Sequence, residues 1–280
     1  MKKTVCFLLS LLMFAGTLTG CGNAAIDYTT TEHVIWPIDR IDEAEAPREY
    51  TVSFRGKSYT APYIDTQQEH FCSYLRRQYI GENVRFNIRE DTGELVYISF
   101  TGNSNYDTEP LLEEVADPEK TAIAIADQVV ADFAPLSDYE RTVSAEDTSI
   151  EKNGVTYPCT IYRILYMKYR CGLPTQDKFY VSVSSKGNFK SIVIGETGVF
   201  DALPENRIDL EAISKSVDAK IQEIYSKNSR YPYIRHEIKD QSLCYTPDHK
   251  FAVVSNVSVS MRDNTGSEIS ELVEITTLIN

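Results

Sequence analysis

Hydrophobic positions along the chain change period several times, and each change marks an element. Residues 50–59 alternate on either side of Arg55-Gly56, which predicts a hairpin with its tip there. Residues 66–80 space Phe71, Tyr74, Leu75 and Tyr79 three to four apart, one face of a helix, and Gly81 follows as a stop. Residues 84–88 and 95–100 alternate across Asp91-Thr92-Gly93-Glu94 and predict a second hairpin. Asp117-Pro118 then supplies an N-cap and a proline at the first helical position. Ala122, Ile123, Ala126, Val129, Val130 and Phe133 form the buried stripe, and Pro135 ends it. Strands follow at 139–147 and 155–170 across Asn153-Gly154, then at 178–184 and 189–194 across a turn at 185–188. Asp209 caps a third helix with Ile213, Val217, Ile221 and Ile224 on one face. Strands at 233–239, 243–246 and 250–261 follow it, and a turn at 263–266 leads into 268–279.

Three helices, each followed by antiparallel strands and a late glycine turn, read as a degenerate repeat. The expected fold class is α+β, with repeated units of one helix packed on a three- to four-stranded antiparallel sheet. The units are 50–112, 113–203 and 204–280. Residues 21–49 mix Thr, Asn and acidic side chains with little periodicity and read as a flexible tether, with an apolar island at 34–38.

Charge narrows the partners. The net charge of −13 lacks the basic footprint that nucleic acid or anionic headgroups require, so no nucleic-acid partner is expected. Eighteen tyrosines against one tryptophan suit half-buried strand surfaces.

Reactive motifs are sparse, and no catalytic residue, metal site or cofactor is expected. His33, His70, His236 and His249 are scattered, and neither His-Glu-x-x-His nor Gly-x-Ser-x-Gly occurs. Ser149-Ile-Glu-Lys152 has the Ser-x-x-Lys spacing but runs into Asn153-Gly154 and a strand, so Ser and Lys cannot share a helix face. Asp263-Asn-Thr-Gly-Ser-Glu268 carries oxygens but lacks the acidic ligand set of a calcium loop, and it reads as a turn. Cys72, Cys159, Cys171 and Cys244 are an even number, which permits a disulfide. Cys159 and Cys171 stand at opposite ends of one expected strand, roughly 40 Å apart at about 3.3 Å per residue, so they pair only if it folds back. Four separate thiols are the simpler expectation.

The stretch 169–192, YRCGLPTQDKFYVSVSSKGNFKSI, concentrates serines, a cysteine and an Asp–Lys pair. Ser182 and Ser184 alternate with Val181 and Val183, so period 2 alone puts them on a polar face. Gly172-Leu-Pro174 reads as a turn whose proline stops pairing, and Asp177 and Lys178 as edge charges. Tyr162, Tyr166 and Tyr169 on the preceding strand are the candidate contact surface, since tyrosine offers area at low entropy cost.

The first twenty residues are a secretory signal: Lys2 and Lys3, an apolar run over 5–15, then Leu18-Thr19-Gly20-Cys21. That ending resembles the lipobox of bacterial lipoproteins, which implies cleavage before Cys21 and diacylglycerol on its sulfur. Two acyl chains, at about 0.8 kcal/mol per buried methylene, hold a protein on a membrane. A second resemblance rests on Gly172, Leu173, Pro174, Asp177, Phe179, Val181, Val183 and Gly187, which are similar to the pattern of tandem PepSY-like domains. Ser184 stands where that family often has an acidic residue. The two resemblances imply a lipid-anchored protein on the extracytoplasmic face of a bacterial membrane. It would act as a non-enzymatic binding or regulatory module for a protein, peptide or envelope ligand. The alternatives are a surface hydrolase with a site assembled from distant residues and a small-solute receptor.

Overall fold

The computed structural model describes residues 28–33, 39–41, 46–68, 72–100, 111–205, 208–226 and 232–279. Residues 1–20, read from the sequence as a signal, together with Cys21, the apolar island at 34–38 and His70, lie outside these residues.

Strand pairing dominates. The strands are β1 (Tyr28–His33), β2 (Asp39–Ile41), β3 (Glu49–Phe54), β4 (Lys57–Gln68), β5 (Leu75–Ile80), β6 (Val84–Arg89) and β7 (Leu95–Phe100). After the first helix come β8 (Glu140–Lys152), β9 (Val155–Arg170), β10 (Leu173–Ser184) and β11 (Phe189–Ile194). The last three are β12 (Tyr233–Tyr245), β13 (Phe251–Arg262) and β14 (Glu268–Ile279). The helices are α1 (Pro118–Val130) and α2 (Leu210–Tyr225). The strands join in the order β1-β14-β13-β12-β10-β11-β7-β6-β5-β4-β2, with β3 also on β4 and β8 reaching β10 through β9. Every pairing is antiparallel except β10 with β12, which run parallel through Thr175 opposite Leu243.

The expected repeat of helix-on-sheet units is therefore incorrect. The described chain is mostly β in one mixed sheet, and it has two α-helices rather than three. The segment 66–80 is the missing helix: Thr66–Gln68 completes β4, and Leu75–Ile80 is β5, paired with β4 on one side and β6 on the other. Its apolar spacing misled because both faces of β5 are covered. Successive residues Gln78 and Tyr79 point to opposite faces and both are buried, so the polar residues of β5 do not mark a solvent face. Tyr79 stacks on Phe86 at 5.3 Å and meets Tyr63 edge-on at 5.8 Å.

Two segments within 21–49 are strands: β1 pairs with β14, and β2 with β4. The hairpin at Asn153-Gly154 forms as the sequence requires, with both residues left-handed at φ 53° and 73°. Residues 233–245 are one continuous strand bulged between Ile238 and Asp240, where the sequence suggests two. Asp117 is left-handed and makes no side-chain cap bond, so Pro118 alone opens α1. Asp209 does cap α2, accepting from the Glu211 and Ala212 backbone N–H groups at 3.0 Å.

Two cores result. One lies under α1 and is built from Phe54, Tyr79, Phe86, Ile98, Ile164, Phe179 and Phe189 with Ala122, Ala126 and Val129 of the helix. The other lies under α2, where Ile213, Val217, Ile221 and Tyr225 meet Leu243, Val257, Val259 and Ile275. Strand β10 serves both, Leu173 in the second core and Phe179, Val181 and Val183 in the first.

Candidate functional site

The seam where β10 passes from one core to the other concentrates the buried polar groups. Its pairing with β9 breaks between Pro174 and Lys178, so Pro174 lies inside the strand at a bulge and does not end it. On the other edge the Gly195 N–H donates to the Lys178 carbonyl at 2.8 Å, and the Glu196 N–H to the Gln176 carbonyl at 3.0 Å. Gly195 is required there, because a Cβ at that position would stand 2.0 Å from the Gln176 oxygen.

Two carboxylates sit at this crossing. Asp177 is fully buried, not an edge charge. It accepts from the Tyr139 hydroxyl at 2.7 Å and the Gly198 N–H at 2.8 Å, with the Lys168 ammonium 3.7 Å away. Burial and this carboxylate push the Tyr139 hydroxyl well above the ordinary phenol value. Glu196 is also buried; one oxygen accepts from the Ser73 N–H at 2.5 Å and the other has no hydrogen-bond partner among the described residues. Burial raises its carboxyl, against the opposing pull of the Ser73 N–H, Arg89 and His249. Burial, with the Glu196 carboxyl a lesser contributor, pushes the Cys72 thiol up to about 12 and raises Cys244 as well. Both are therefore held as thiols, the unreactive form.

Beside this crossing, a cleft of about 280 Å³ opens between the β6–β7 turn and the end of β11. It is lined by Tyr74, Arg89, Glu94, Phe133, Gly195 and Thr197, among others. Arg89 is fixed on its rim: it grips Asp91 with two bonds of 2.9 and 2.8 Å, and its guanidinium carbon lies 4.2 Å from the Tyr74 ring centre. Arg89 holds the Asp91 carboxyl below its ordinary value. The turn itself depends on Gly93, at φ 73°, where a Cβ would meet the Tyr50 hydroxyl at 2.7 Å.

The residues singled out from the sequence are dispersed. Tyr162 is half-buried against the first core, Tyr166 is buried with its hydroxyl donating to Asp127 at 2.5 Å, and Tyr169 is exposed. They form no single contact surface, because an odd spacing sends Tyr169 to the opposite face of β9. The serine face of β10 is not solvated either. Ser184 and Ser185 are buried; the Ser184 hydroxyl accepts from the Asn188 N–H at 3.1 Å, and the Ser185 hydroxyl donates to Glu114 at 3.1 Å. Residues 111–115 cover this turn, with Asn188 bonding both the N–H and the carbonyl of Leu111 at 2.9 Å. Cys72, Cys159, Cys171 and Cys244 are free thiols, and all but Cys171 are buried. Asp263 spends its carboxylate on its own turn, accepting from the Thr265 and Ser267 N–H groups at 2.8 Å. Among the described residues no group of three or more His, Cys, Asp or Glu side chains is arranged to hold a metal.

Three features escaped sequence reading: the cleft, Glu196, and a chain from Asp218 through His236 to Tyr233. His236 bonds Asp218 and the Tyr233 hydroxyl, each at 2.7 Å. Its outer member is a phenol, a poor nucleophile at neutral pH. A carboxylate set one glycine beyond the apolar end of β11, Ile192-Val193-Ile194-Gly195-Glu196, is the one sequence signal that marks Glu196.

No protein-family model, no curated protein and no solved structure matches this chain.

Proposed function

We propose that this chain is a lipid-anchored, extracytoplasmic binding module of a bacterial membrane, without catalytic activity of its own, whose ligand is a peptide or a small envelope component. Leu18-Thr19-Gly20-Cys21 supports the anchor, and the PepSY-like pattern over 172–187 supports a module that binds or restrains a partner. The observation that carries the binding reading is the cleft beside Arg89. Its rim is pre-organised by Asp91 and Tyr74, so little order is lost when a ligand docks. Its 280 Å³ falls just below the roughly 300–1,000 Å³ of sites for drug-sized ligands and cofactors, a size that suits one anchoring side chain or end group. The reactive groups support the same reading, since Cys72 and Cys244 are held as thiols and Ser184 and Ser185, at the far end of β10, hold a turn.

Two experiments test it. Mass analysis of the mature N-terminus finds a diacylated Cys21, and Cys21→Ser releases the chain from the membrane fraction; an unmodified cysteine there overturns the anchor. Crosslinking of the anchored chain in its envelope captures a ligand, and Thr197→Trp, which fills the cleft from an exposed position, abolishes capture. Capture that survives this change overturns the cleft as the site.

A further inference from the structure

Strand β8 is an open edge. It pairs with β9 alone among the described strands, over thirteen residues in unbroken register from Glu140 opposite Met167 to Lys152 opposite Val155. The other strands that end the sheet are shorter: β1 and β3 have six residues each and β2 has three. Residues 141–149 are all exposed, so both faces of β8 stand in solvent as well as its edge. Long edges attract further strands unless lysine or other charges, proline or a bulge blunts them. Between 140 and 151 β8 has no lysine, proline or bulge, and its charges, Glu140, Arg141, Glu146, Asp147 and Glu151, are of both signs, so they select a partner register.

The sequence of β8 is complementary to itself in the antiparallel register centred on Ser144. With Ser144 opposite Ser144 of a second copy, Arg141 faces Asp147, Thr142 faces Glu146, Val143 faces Ala145 and Glu140 faces Thr148. Centring on residue 143 sets Glu140 against Glu146 twice, and centring on 145 sets Val143 against Asp147. Centring on 146 pairs Arg141 with Glu151 but sets Glu146 against itself, so only the Ser144 register pairs opposite charges with no like-charge contact. The donors are also available: Arg141 reaches Asp127 through one nitrogen, Nη1, which leaves the other side of its guanidinium for a carboxylate across the pair.

We propose that β8 is a self-association edge through which two copies of this chain pair antiparallel, Ser144 against Ser144, and join their sheets. The pairing is independent of the anchor and of the cleft, which lies on β6, β7 and β11.

Site-specific crosslinking of the full-length chain tests the register, in a Cys171→Ser background to remove the half-exposed thiol. Residues directly opposite stand about 4.5–5.5 Å apart at Cα, within disulfide reach, whereas diagonal neighbours are about 7–8 Å apart. Under a mild copper–dioxygen oxidant, Ser144→Cys is expected to form a covalent dimer while Val143→Cys stays largely monomeric. In sedimentation of the chain without added cysteines, Asp147→Lys removes two opposite-charge pairs per dimer and sets lysine against arginine. Dimerisation should weaken roughly tenfold. Equal crosslinking at 143 and 144 overturns the proposal, as does dimerisation indifferent to Asp147→Lys. So does crosslinking of Ser144→Cys in native membranes to a different protein instead of to itself, which would make the edge a site for a foreign strand.

Discussion

Asp177 and Glu196 are two buried carboxylates at one strand crossing, and their surroundings differ in kind. Asp177 has both oxygens engaged, by a hydroxyl and a backbone N–H, with an ammonium nearby. Glu196 has one oxygen bonded and the other orphaned, between two thiols held neutral. A buried charge is tolerable when every lone pair has a donor, and a fully bonded group of this kind ties its elements together. Asp177 does so: it fastens β10 to the segment before β8 through Tyr139 and to the turn after β11 through Gly198. Glu196 resolves the same cost by favouring its protonated form. The first is a clamp, and the second a group that titrates with the fold.

That contrast can be broken in steps of decreasing size. Asp177→Ala strands the Tyr139 hydroxyl and the Gly198 N–H, while the Lys168 ammonium keeps Asp201 at 2.7 Å, and should cost about 3–5 kcal/mol in denaturant unfolding, at roughly 1–3 kcal/mol for each buried group left unbonded. Gly195→Ala drives a methyl toward the Gln176 carbonyl and forces the crossing apart. A loss of about 2–3 kcal/mol is expected, seen as a fall in thermal midpoint of roughly 2–4 °C per kcal/mol. Glu196→Gln should be nearly neutral at low pH. Because the folded carboxyl is raised, its stabilisation is complete below the unfolded value of 4.5 and is lost as pH rises through the folded value. The glutamine variant should therefore gain on the parent as pH rises above 4.5; parallel stability curves would remove Glu196 as a titrating group. Glu274, raised to about 7 by burial and by Asp240, predicts the same sign over pH 4.5 to 7 for Glu274→Gln. The smallest effect is chemical. In the native state a thiol reagent should modify Cys171 readily and Cys72 and Cys244 only on unfolding, since both are buried and kept protonated.

The parts of the fold legible in the sequence are those fixed by local chemistry. Asn153-Gly154 marked its hairpin because a two-residue turn needs positive φ at both positions. Asp209, with apolar residues four apart, marked α2, because the cap and the stripe agree. Residues 66–80 had a comparable stripe without a cap, and pairing on both sides by β4 and β6 overrode it. Of the site, the Arg89–Asp91 turn was legible as a turn, but its opposition to β11 was not, since more than a hundred residues separate them.

The sequence by itself determined where the chain turns, which two segments carry capped or proline-opened helices, and that residues 169–194 form strands around glycine turns. Only the tertiary structure decided which faces of those strands are covered. It buried Ser184, Ser185 and Asp177, separated the three tyrosines, left β8 with an open edge and set Glu196 beside Cys72 and Cys244. Turn and cap preferences are written in the dihedrals of a few neighbouring residues. Burial is a property of whatever arrives from elsewhere in the chain, and strand pairing across long loops carries no local mark.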